Sequence, residues 1–208
     1  MPDNTDPRRR ILAAAMDVAA ERGWLSLGFA DVASRAGVPL ADVHRFFPTR
    51  LDLLAGVGRL ADADVLSGPL PDPDDPPRDR LFEVLMARFD ALAPFRHGLR
   101  SIARDLPRDP LAATALAPHL GHSMRWMLEA ARIDAGGLRG AVLASGLSLL
   151  WLAVFRVWIE DETTDLSRTM AALDARLRRA EGLVGGVLRR RRGPGDSDGA
   201  DTAAPPSG

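Results

Sequence analysis

The chain contains no cysteine, and its 27 basic residues are all arginine, without one lysine. The first absence excludes disulfides, thiolate metal sites and a cysteine nucleophile, and it removes any sign of a secreted, bridge-stabilised fold. The second is compositional. Arginine replaces lysine on helix surfaces at little cost, so it reads as the bias of a GC-rich bacterial genome and not as a binding device. The opening segment MPDNTDPRRR lacks an apolar run behind its charges, so no signal peptide is visible and a cytoplasmic location is the expectation. Strand-like alternation of apolar and polar residues is nearly missing, while Ala, Leu and Arg dominate, which points to an all-α protein. No Ser-His-Asp order, phosphate-cradling glycine loop or dense carboxylate pair occurs, so neither an enzyme nor a cofactor is expected. His119 and His122 have i, i+3 spacing, but no third ligand stands in their segment and no metal site is assigned.

What is present is concentrated first in residues 29 to 54, FADVASRAGVPLADVHRFFPTRLDLL. Two short helical patterns meet there at a turn holding Gly37, and a third follows at once, which is how a helix-turn-helix reads. Phe29, Val32, Ala33 and Ala36 share one face. Gly37 supplies the positive φ that follows a helix, and Val43, Phe46 and Phe47 resume the apolar stripe. Residues 1 to 60 hold eight Arg against seven Asp or Glu, so a basic face could only be local, built from Arg8, Arg9, Arg10, Arg35, Arg45 and Arg50.

This stretch, with Ile11, Ala14, Ala15 and Gly23 before it and Phe47, Pro48, Thr49 and Arg50 at its end, resembles the amino-terminal DNA-binding domain of TetR-type transcriptional regulators. The resemblance covers roughly residues 8 to 60. It implies that Pro39, Leu40, Ala41, Asp42, His44 and Arg45 lie in the major groove of a double-stranded DNA operator, and that Thr49 and Arg50 hold a phosphate at the start of the next helix. A helix amino terminus suits that role, because its free amides and dipole add to a guanidinium. Two positions depart from the family pattern. Asp42 stands where a small hydroxyl residue is usual and would repel phosphates unless it accepts from a cytosine amino group. His44 replaces a usual tyrosine and donates to a phosphate best when protonated.

Beyond residue 66 the composition shifts. Ser67 to Asp79 carries five prolines with Asp72, Asp74, Asp75 and Asp79, a linker or long loop that cannot sustain a helix. The expected division is therefore 1–66 helix-turn-helix domain, 67–79 linker, 80–192 helical effector-binding and dimerisation domain, and 193–208 a disordered tail rich in Gly, Pro and Asp. In the third part, helices are expected over Arg80 to Leu92, Leu99 to Leu106, Leu111 to Ala117, His119 to Ala131, Gly140 onward and Leu166 to Arg191. The run Gly140 to Phe155 has sixteen residues without a charge, short of the roughly 20 a membrane span requires, so it is read as a buried or interfacial helix. Phe89, Met124, Trp126, Met127, Trp151 and Phe155 are candidates to line a cavity for a small apolar effector. The TetR resemblance further implies a homodimer through the helices around 138–160 and 166–191.

A second likeness is confined to Trp158 to Leu177, where Trp158, Asp161, Asp165, Thr169, Leu173, Asp174 and Leu177 resemble the carboxy-terminal part of a lipid-binding family that assists ubiquinone biosynthesis. That family shares the fold without acting on DNA. Two functions are thereby implied: a dimeric repressor released by an apolar effector of isoprenoid or quinone type, or an accessory lipid carrier.

Overall fold

The computed structural model describes the backbone of residues 6–191 and the side chains of residues 6–181. Its regular structure is helical: α1 Pro7–Arg22, α2 Phe29–Ala36, α3 Leu40–Phe46, α4 Arg50–Ser67, α5 Pro77–Leu92, α6 Arg96–Asp105, α7 Pro110–Ala130, α8 Gly137–Trp158 and α9 Ser167–Arg191, with no strand among the described residues. The all-α expectation is borne out. The segment expected as a tail, 193–208, lies outside the described residues.

Local chemistry explains where these helices begin and end. Asp6 caps α1 by accepting from the Arg8 amide at 2.9 Å, and Pro7 occupies the first turn, where no amide is needed. Gly37 closes α2 at φ 62°, with the Val38 amide donating back to Ala33 at 3.1 Å. That backbone conformation strains any residue with a Cβ, which is why glycine stands there. Asp109 caps α7 through the Ala112 amide, again with proline in the first turn.

One expectation about elements is corrected and one is borne out. Pro118 was expected to separate helices 111–117 and 119–131, yet α7 runs unbroken through it. An interior proline costs about 3 kcal/mol, but here it sits on an exposed face while Ala112, Ser123, Met124 and Met127 bury the opposite face on both sides of it. The apolar run from Gly140 lies, as expected, within a longer helix, α8 of 22 residues, which continues through Arg156. By length and composition alone α8 could cross a membrane, but its stripe Gly140, Ala144, Leu147, Trp151, Val154 and Trp158 is packed inside the bundle.

The Pro- and Asp-rich segment is a loop only over residues 68–76, because Pro77 opens the first turn of α5, where no amide is needed; the loop is fastened to its neighbours. Arg80, buried at the start of α5, donates from Nε to the Ala131 carbonyl at 2.8 Å and from Nη1 to the carbonyls of Pro73 and Asp75. The amino-terminal helices are similarly fixed to those that follow. Helix α1 packs on α2, α4 and α6, and α4 packs on α5 and α7. A Cβ built on Gly98 of α6 would come within 2.5 Å of the Met16 carbonyl oxygen, so α1 and α6 touch backbone to backbone. At the end of α1, Asp105 accepts from the Trp24 amide at 3.0 Å. Helices α7, α8 and α9 then stack in order, and α9 closes back on α5.

Candidate nucleic-acid interface

Helix α3 has a single buried residue, Val43, which locks it to the core. Phe46 packs partly against the core as well. Pro39, Leu40, Ala41, His44 and Arg45 are exposed and Asp42 is half-buried. Seven residues make under two turns, too short to be stable alone, so α3 owes its position to Val43, to the buried Phe47 after it and to the Gly37 turn before it. The sequence-predicted reading residues are therefore brought together on one outward surface.

Electrostatics on that surface are more balanced than a count of arginines implies. Arg45 pairs with Asp42 at 3.2 Å, one turn back, and its guanidinium lies 4.5 Å from the Phe46 ring centre, with Arg8 on the same ring at 5.0 Å. Asp42 thus has an internal partner, and in the first turn of α3 it also gains from the helix dipole. The local basic patch contracts. Arg9 is engaged by Asp64 at 2.5 Å and Arg35 by both oxygens of Glu21 at 2.5 and 2.6 Å, which leaves Arg8, Arg10, Arg45 and Arg50 as the cations of this group without a partner on another helix's carboxylate, Arg10 with its Nε buried.

At the start of α4, Thr49 and Asp52 form a capping box. The Asp52 amide donates to Thr49 Oγ1 at 3.2 Å, while the Thr49 amide and hydroxyl donate to Asp52 Oδ2 at 2.9 and 2.6 Å. The Thr49 hydroxyl is thereby satisfied within the protein, and Asp52 brings a negative charge beside the place predicted for a phosphate. Arg50 donates from Nη1 to the Leu25 carbonyl at 3.0 Å, which orients its guanidinium at the surface with donors to spare.

Away from this face, Phe89 of α5 stacks with Trp151 of α8 at 5.7 Å between ring centres and meets Trp158 at 5.4 Å, and Phe155 completes the cluster against both tryptophans. Met124 and Met127 are wholly buried. Trp126 does not join them: two residues after Met124 it falls on the opposite side of α7, 46% exposed, with Nε1 donating to His122 Nε2 at 3.1 Å. Among the described residues no group of three metal-ligating side chains forms.

Sequence reasoning missed a buried polar network here. Arg88 of α5 donates from Nε to Asp62 Oδ1 of α4 at 2.9 Å and from Nη2 to Ser123 Oγ of α7 at 2.9 Å, and Ser123 Oγ donates to the same Asp62 oxygen at 2.7 Å. The guanidinium lies 4.5 Å from the Trp151 ring centre. Burial pulls the Arg88 pKa down, with Asp62 opposing. Its Nη1, and the Nε1 atoms of Trp151 and Trp158, are buried without an acceptor, a condition that costs about 1–3 kcal/mol for each group. The signal was legible: Leu81, Val84, Leu85, Phe89 and Leu92 set a helical stripe, and position 88 falls inside it.

The residues behind the lipid-carrier likeness are occupied with holding the fold. Trp158, Asp161, Thr169 and Leu173 are fully buried. Asp161 accepts from the Thr163 hydroxyl at 2.5 Å and from the Thr169 amide and hydroxyl at 2.8 and 2.7 Å, so it ties the start of α9. Burial works against its ionisation, but these hydrogen bonds prevail and hold its carboxyl well below the usual range. Asp165 accepts from the Ser167 amide, and Asp174 pairs with Arg178. None of these contacts requires a lipid.

Comparison with known proteins follows the same division. Residues 11–57 match the model of bacterial regulatory proteins, tetR family. A segment of 72 residues is 42% identical to the HTH-type transcriptional repressor LfrR of Mycolicibacterium smegmatis, covering 30% of this chain and 37% of that relative. The chain thus spans little more than a third of the curated relative it matches. Over most of the chain the fold is similar to a TetR transcriptional regulator from Nitrosomonas europaea (TM-score 0.67, 24% identity, 85% of this chain and 99% of that one). It is also similar to one from Rhodococcus sp. RHA1 (TM-score 0.55, 24% identity, 81% and 93%).

Proposed function

We propose, from the match of residues 11–57 to the tetR-family model and from a fold similar to that of TetR-type structures, a transcriptional regulator of repressor type. It binds an operator in double-stranded DNA as a homodimer and is released by a small apolar effector. The observation that carries this reading is α3, a helix whose one fully buried residue is Val43 and which leaves Leu40, Ala41, His44 and Arg45 exposed to meet base edges. In it, Pro39, Leu40, Ala41, Asp42, His44 and Arg45 face the major groove. Arg50 and the unpaired amides at the start of α4 take a phosphate, while Thr49 supports that helix end as its cap.

The outward face of α8 supports the dimer. Leu138, Val142, Leu149 and Leu152 are exposed at i, i+4, i+11 and i+14, with Leu138 84% and Leu149 72% accessible. An apolar stripe of that length is characteristic of a helix that meets a partner, and two copies related by a twofold axis set two reading helices at half-site spacing. Helix α9 flanks this face. The effector belongs in the body formed by residues 80–192, among Phe89, Met124, Met127, Trp151 and Phe155. It shifts the population away from the DNA-competent spacing by binding one state better than the other.

Selection of bound fragments from total genomic DNA tests the reading directly. A defined set of fragments, retained far less by an Arg50→Ala variant at low salt, is the expected result. Retention no better than that of the variant would refute it.

A further inference from the structure

Three donors lie buried without acceptors in one cluster: Arg88 Nη1 and the indole Nε1 atoms of Trp151 and Trp158. Arg88 lies over the Trp151 ring, and both tryptophans pack on Phe89. Around them stand Ser123, Met124 and Met127 on the buried face of α7, and unbranched methionines re-pack readily around a guest. On the α4 side Asp62 holds the guanidinium at 2.9 Å, and Gly58 has no side chain, its built Cβ meeting Arg88 Nη2 only at 3.8 Å.

We propose that Arg88, Trp151 and Trp158 form the polar anchor of a binding site for a neutral, flat, carbonyl-bearing apolar molecule. Unmatched donors call for acceptors, and the aromatic surroundings call for a planar apolar body. Charge selects the neutral class. Arg88 already has its counter-charge in Asp62 at 2.9 Å, so a carboxylate would place a second anion beside one buried cation. A ketone or quinone oxygen accepts the free N–H groups and leaves that pair intact. The same guanidinium holds Asp62 of α4, which leads back to the reading helix through the Thr49 turn, so the occupant meets α4 by way of Arg88. This assignment rests on the reading that the body binds an effector.

Calorimetric titration of the full chain with 1,4-naphthoquinone, naphthalene and 1-naphthoate separates the possibilities. The chain has no cysteine or lysine to form quinone adducts, so reversible binding is measured. Naphthoquinone is expected to bind at least about tenfold more tightly than the other two. Trp151→Phe, which keeps a benzene ring and removes the N–H with the pyrrole ring, is expected to weaken naphthoquinone about three- to tenfold more than naphthalene, the worth of one neutral hydrogen bond beyond the shared loss of apolar contact. Trp158→Phe, checked for its helical signal, is expected to do the same. Equal binding of naphthoquinone and naphthalene, preference for 1-naphthoate, equal losses for both ligands in Trp151→Phe, or no binding at all would each overturn the proposal. No DNA enters this titration, so its failure is distinct from failure of the fragment selection.

Discussion

Two arginine–aspartate pairs, one on α3 and one inside the body, show how location changes the meaning of the same chemistry. Arg45 and Asp42 meet at 3.2 Å with Arg45 largely in solvent, whereas Arg88 and Asp62 meet at 2.9 Å with both side chains nearly dry. At the surface, water screens the attraction and the pair is worth little, so a phosphate or base can take Arg45 from Asp42 at low cost. In the interior neither charge has an alternative, and each is indispensable to the other. The exposed pair is suited to exchange with a ligand; the buried pair joins α4, α5 and α7.

The largest expected effect breaks the interior pair. Arg88→Met, which strands Asp62 as an uncompensated buried charge, should lower stability by about 3–5 kcal/mol, read as a shift in the urea midpoint. Adding Asp62→Leu should recover most of that loss. A double variant no more stable than the single one would show that the pair does more than balance charge.

Asp161 comes next, because it is buried and satisfied by hydrogen bonds in place of a cation. Its folded pKa is depressed, so its contribution is fully present above the unfolded value of about 3.9 and is lost as pH falls through the folded one. Asp161→Asn should cost about 1.5–3 kcal/mol at pH 7 and flatten the acid limb of a stability-versus-pH curve below about pH 4. An unchanged acid limb would assign that limb to other carboxylates.

The joint between the two regions should respond to size alone. Gly98→Ala drives a methyl group into the Met16 backbone, and the strain should cost about 1–3 kcal/mol in thermal unfolding. If the cost is below that range, α1 and α6 separate more easily than their contact implies.

The smallest stability effect belongs to the exposed pair. Arg45→Ala should change stability by no more than about 0.5 kcal/mol while weakening retention of the selected DNA. If Arg45 meets a phosphate, the slope of log affinity against log salt falls by about one; if it reads a base, the slope holds and sequence preference relaxes.

Much of the amino-terminal region was legible in the sequence, because its determinants are local. Gly37 at the turn, Thr49 before α4 and the spacing of Val32, Ala36 and Val43 specify geometry within a few residues of themselves. The body was harder to read. Pro118 argued for a break that burial on the far side of α7 overrides, and Trp126 looked like a cavity residue until the helical phase set by Met124 and Met127 turned it to solvent. Arg88 occupies a stripe position where an apolar residue is expected, and only Asp62 and Ser123, 26 and 35 positions away, explain how it is tolerated.

By itself the sequence determined the helical class, the helix-turn-helix and the surface that α3 offers, since capping, periodicity and a glycine of positive φ act over one or two turns. The tertiary structure decided which charges are free and which are committed. Whether an arginine is a surface donor or an interior clasp depends on partners brought together from distant helices, and no local pattern encodes that meeting.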